Sequence, residues 1–104
     1  MTRFIALLLL LLSTPAQAGD YELVLKDHEF TPAELKVKAG SAFVLTVRNE
    51  DSTPAAFEST MNTRPREIIE GNSALDIKIG PLKAGDYHVF DPFHIGAEGL
   101  VSAK

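Results

Sequence analysis

Gly85-Asp86-Tyr87-His88-Val89-Phe90-Asp91-Pro92-Phe93-His94-Ile95-Gly96-Ala97-Glu98-Gly99 is the stretch on which the fold turns. Its first half alternates. Tyr87 and Val89 share one face and His88 and Phe90 the other, the two-residue period of an extended strand. The alternation stops at Asp91-Pro92, where proline has no N–H to give a ladder. Asp91-x-x-His94 therefore falls in a loop, and 99–103 closes the chain.

The same period recurs upstream. Tyr21, Leu23 and Leu25 alternate with Glu22, Val24 and Lys26; Leu35 and Val37 alternate with Lys36 and Lys38 before the Ala39-Gly40 turn. Phe43-Val44-Leu45-Thr46-Val47 is the richest run of β-formers and reads as a central strand. Residues 49–54 form a polar loop, 56–59 a short strand and 67–70 a short edge strand ending at the Gly71-Asn72 turn. Leu75, Ile77 and Ile79 mark another half-buried strand, stopped by Gly80-Pro81. Seven to eight short strands without an amphipathic helix predict an all-β, antiparallel Greek-key sandwich. Helix is expected only as a turn or two within 60–66.

The N-terminal end sets the compartment. Arg3 supplies a positive charge, 4–12 is an apolar run, and Ala16-Gln17-Ala18 is the small-x-small pattern of a signal-peptidase site. Nine apolar residues fall short of the roughly 20 that span a bilayer. The reading is a signal peptide at 1–18, cleaved after Ala18, and a single periplasmic domain at 19–104 with no membrane insertion after cleavage. Those 86 residues carry 9 Lys and Arg against 14 Asp and Glu, a net charge near −5 that disfavours nucleic acid as a partner and suits cations. There is no cysteine, so neither disulfides nor thiol chemistry contribute. No nucleophile elbow and no glycine-rich phosphate loop are present, which argues against a hydrolytic enzyme.

Two patterns resemble the cupredoxins. The first is Phe30-Thr31-Pro32 with Leu35, Val37 and Gly40, then the long strand and Asn49-Glu50-Asp51. The second is the 85–99 stretch, which is similar without a gap to the blue-copper run Gly-x-Tyr-x-Phe-x-Cys-x-x-His-x-x-Met-x-Gly. The resemblance implies the cupredoxin-like sandwich. It also exposes departures: Asp91 stands at the cysteine position, Ala97 at the axial methionine and Ala55 at the upstream histidine, so only His94 remains of four ligands. A type 1 copper centre needs the thiolate and is excluded.

The chain further resembles cupredoxin-like proteins associated with bacterial periplasmic ferrous-iron uptake. The likeness lies in 26–32 (Lys-Asp-His-Glu-Phe-Thr-Pro), Phe57-Glu58-Ser59, 79–83 (Ile-Gly-Pro-Leu-Lys) and Phe93-His94. It implies Glu58, Asp91 and His94 as metal-associated residues; His28, two residues before Phe30, is expected at the same end, with Met61 nearby. Such a mixed N/O set suits copper or iron, copper(II) binding most tightly of the first-row divalent ions. The expectation is a periplasmic protein that captures copper or iron for an uptake system and delivers it to a membrane iron permease or another periplasmic component, with an accessory redox role in ferrous-iron oxidation as a variant. A metal-free module docking a partner protein and a copper chaperone are the alternatives. Arg64 and Arg66, flanking Pro65, read as a solvated loop or a docking patch for an acidic partner.

Overall fold

The alternating segments become strands whose apolar sides face each other across two sheets. The computed structural model describes residues 19–61 and 66–104. The expected leader, Arg64, Pro65 and most of the 60–66 turn lie outside them. Among the described residues nine strands follow in order: β1 (Tyr21–Lys26), β2 (Glu29–Thr31), β3 (Glu34–Val37), β4 (Phe43–Asn49), β5 (Ala55–Ser59), β6 (Glu67–Ile69), β7 (Ser73–Ile79), β8 (Gly85–Phe90) and β9 (Glu98–Ala103). No helix forms among the described residues, and none there is long and apolar enough to cross a membrane.

One sheet has the order β2-β1-β4-β7 and the other β3-β9-β8-β5-β6. Five pairings are antiparallel; β1 with β4 and β3 with β9 are parallel. The parallel pairs depart from a wholly antiparallel expectation because the chain changes sheets between β2 and β3 and again between β3 and β4. Parallel neighbours need such crossovers, whereas hairpins give antiparallel ones. The strand count exceeds the expected eight because β2, only three residues long, carries a single inward residue, Phe30, and shows no period of its own.

Leu23, Leu25, Leu45, Val47, Ile77 and Ile79 come from the first sheet, and Phe57, Val89 and Val101 from the second, into one buried cluster. Phe30 meets Phe57 edge-on across the sheets, with ring centroids 6.3 Å apart. At roughly 1.5–3 kcal/mol for each large side chain buried, this cluster carries most of the stability of a chain without disulfides. The β1–β2 hairpin, the 50–54 loop and the β8–β9 loop emerge at one end: Asp51 bonds the hairpin, the His28 ring of the hairpin stacks on His94, and Asp91 bonds Ala56 at the start of β5.

Candidate metal centre

The β1–β2 hairpin turns in two residues, since Lys26 pairs with Glu29. Of the two-residue turns that match strand twist, type I′ needs left-handed backbone at both positions. Asp27 and His28 supply it, at φ 52° and 60°, although neither is glycine. Asp51 compensates. Its Oδ1 accepts from the Asp27 N–H at 2.7 Å and its Oδ2 from the His28 N–H at 3.0 Å. Asp51 is itself held by its N–H donating to Asn49 Oδ1 at 3.0 Å. Asn49, fully buried, donates from Nδ2 to the carbonyls of Thr53, Ile69 and Glu70 at 2.8, 3.2 and 3.2 Å.

The β8–β9 loop is closed by three backbone bonds, from His94 N to Asp91 O, Ala97 N to His94 O and Asp91 N to Ala97 O. Gly96, at φ 94°, makes the left-handed bend that returns the chain toward β9. Asp91 follows Val89 by two residues and shares its inward face, so its side chain is wholly buried. Oδ1 accepts from the N–H groups of Ala56 and Phe93 at 3.0 and 2.9 Å, and Oδ2 lies 2.6 Å from His94 Nδ1. The His94 ring stacks on the His28 ring, with centroids 3.9 Å apart and planes at 14°. His28 Nε2 in turn lies 3.9 Å from Asp51 Oδ2.

Of the five residues expected near a metal, three gather: His94, Asp91 and His28. Glu58 lies on β5 with its Oε2 2.6 Å from Arg66 Nε. Met61 is buried within the hydrophobic core. His88 is exposed, and Glu98 pairs with Phe90 in the β8–β9 ladder. Arg66, expected in a solvated loop or a docking patch, bonds Glu58 and sits 5.8 Å from the Phe93 ring centroid, a cation–π distance. Asn49 and Asp51 entered the sequence reading only as a family pattern; their work as turn holders had one signal, the two-residue spacing between Lys26 and Glu29.

The electrostatics follow from these contacts. Burial pushes the Asp51 carboxyl up, but the N–H groups of Asp27 and His28 and the nearby charges of His28 and His94 outweigh it, leaving Asp51 below its ordinary value. A type 1 copper ion does not fit the donor set: Asp91 offers no sulfur, its Oδ1 accepts two backbone N–H groups and its Oδ2 faces His94 Nδ1, and Ala55 and Ala97 are buried methyl groups. Among the described residues, no group of three or more His, Asp or Glu side chains is arranged to hold a metal ion. What remains is two adjacent imidazoles, good donors for copper, iron, zinc or nickel. Parallel rings aim their lone pairs side by side, so sharing one ion requires His28, whose side chain is half exposed, to turn.

Residues 2–102 match the family model of the cupredoxin-like domain. An uncharacterized protein of Rickettsia prowazekii (strain Madrid E) is 31% identical over 75 residues, which cover 72% of this chain and 59% of that protein. The chain thus spans about three fifths of that relative's length. Among solved structures, the chain is similar to a purple cupredoxin from Nitrosopumilus maritimus, at a TM-score of 0.65 and 17% identity, over 82% of this chain and all of that one. It is also similar to a Cu(I) form of a methionine-substituted amicyanin, at a TM-score of 0.63 and 18% identity, over 81% of each chain. At these identities the structural likeness establishes the fold.

Proposed function

This chain belongs to the cupredoxin-like domain family, and from that footing we propose that it is a metal carrier that captures copper or iron at the His28–His94 pair. The observation that carries the reading is the stack itself: two imidazoles from separate loops are held 3.9 Å apart, one of them by a turn strained in the left-handed region and tied down by Asp51. Two nitrogen donors leave the other coordination positions of an ion to water or to a receiver, which suits a cargo that is taken up and passed on. Copper(II) binds most tightly among divalent first-row ions, and Fe(II) is the alternative cargo.

The setting is the periplasm, with delivery to a membrane permease of an iron-uptake system or to another uptake component. The leader-like N-terminus and the resemblance to proteins associated with ferrous-iron uptake support this part of the reading. Asp91 acts on His94 rather than on the ion, its carboxylate being engaged by Ala56, Phe93 and His94, while Glu58 is paired with Arg66 and takes no part.

Calorimetric titration with Cu(II), and with Fe(II) under anaerobic conditions, tests the proposal. One ion binds per chain, His94→Ala and His28→Ala each weaken it at least about tenfold, and Glu58→Ala leaves it unchanged. The preferred ion decides between copper and iron. Absence of saturable binding by either ion sinks the carrier reading. It would favour a metal-free docking module, for which the exposed Ile68, Phe93 and Ile95 are the supporting observation.

A further inference from the structure

The Asp91–His94 contact joins a wholly buried carboxylate to a ring of which only a fifth of the side chain is exposed. Asp91 Oδ1 already accepts two backbone N–H groups, and the 2.6 Å separation between Oδ2 and Nδ1 requires a proton between them. A carboxylate has none to give, so the imidazole supplies it. A neutral imidazole carrying its hydrogen on Nδ1 has its lone pair on Nε2. We propose that Asp91 is the positioning residue of this site, fixing His94 as the Nδ1–H tautomer and making Nε2 its donor nitrogen. The inference rests on the carrier reading for its purpose, but not for its test.

The arrangement moves the donor away from the interior. Asp91 fills the buried position at the end of β8 and turns the nitrogen edge nearest the core into a hydrogen-bond donor. Any ion held by His94 then sits on the ring's other edge, beside His28, and not in the interior between Ala55 and Ala97. Carboxylate partners of ligating histidines recur across metal sites for this reason: they set the tautomer and orientation of the ring, and their loss costs roughly 10–100-fold in affinity.

Asp91→Asn separates positioning from simple structural support. The asparagine oxygen can keep the bonds from Ala56 and Phe93, which leaves its NH₂ group facing Nδ1. His94 then accepts at Nδ1, and its proton moves to Nε2. Two-bond ¹H–¹⁵N correlation spectra of the metal-free ¹⁵N-labelled protein read this directly, in the neutral ring at the alkaline end of a pH series. The expected result is Nδ1–H in the wild type, Nε2–H in Asp91→Asn, and Cu(II) binding weakened about 10–100-fold in the variant. An Nε2–H tautomer in the wild type, which needs no variant to fold, overturns the assignment, as does an unchanged tautomer in folded Asp91→Asn. A tautomer swap with neither Cu(II) nor Fe(II) bound by either protein upholds the assignment and overturns the carrier reading instead.

Discussion

Asp51 accepts hydrogen bonds from the backbone N–H groups of Asp27 and His28, and both of those residues hold left-handed backbone. For residues other than glycine that conformation costs about 1–2 kcal/mol each, a cost of the same order as the two bonds that offset it. Asp51→Ala removes both acceptors and is expected to lower unfolding free energy by about 1–3 kcal/mol at neutral pH. The pH dependence carries a sign. The folded Asp51 carboxyl sits below its ordinary 3.8, so its stabilisation is complete above 3.8 and fades as pH falls through the lower folded value. Urea unfolding of both proteins over an acid series should show the gap closing below about pH 4; a gap that persists undiminished into stronger acid assigns the loss to something other than this carboxylate. Asp91 uses the same device at the other loop. Neither role was legible in the residues, because an aspartate in a polar loop looks alike whether it faces solvent, a metal or three donors. The resemblance implies Asp91 as a metal-associated residue, whereas its burial and its bond from Ala56, 35 residues away in the chain, arise only on folding.

At the scale of the elements, β4 links the core to the site. It pairs with β1 on one side and β7 on the other, and its last residue, Asn49, gathers the 50–54 loop and the end of β6. Its Nδ2 has two hydrogens for three nearby carbonyls, and its Oδ1 holds the Asp51 N–H. Asn49→Ala leaves these groups without their partner in a buried setting, at an expected cost of about 3 kcal/mol or more by chemical denaturation. A loss under about 1 kcal/mol contradicts the claim that Asn49 organises this end. The long strands were plain in the sequence because apolar residues at alternate positions have one explanation, a half-buried strand; Leu75, Ile77 and Ile79 on β7 are an instance. β2 was not plain, since three residues cannot display a period. The parallel pairings were also hidden, as strand order depends on which sheet each crossover reaches and no local pattern encodes that.

On the scale of the whole molecule, a chain without cysteine keeps the cupredoxin-like sandwich and departs from the blue-copper pattern at three of four ligand positions. The two are separable because the core and the loop end draw on different residues. Leu23, Leu45, Val89 and Val101 are buried in the sandwich whatever occupies the loops. At the loop end, Asp91 bonds internally where the family pattern has a thiolate, and the nitrogen donors stand beside each other as His28 and His94. The acidic balance of the chain, 14 Asp and Glu against 10 Lys and Arg, favours the approach of cations over anions. Pulsed electron paramagnetic resonance of the Cu(II)-loaded protein tests this account most directly, since the modulation depth counts the imidazoles bound to the ion. The account predicts one Cu(II) per chain with two imidazoles and no sulfur ligation, falling to a single imidazole in His28→Ala. A Cu(II) signal that is unchanged in both His28→Ala and His94→Ala, or no specifically bound Cu(II) at all, contradicts it.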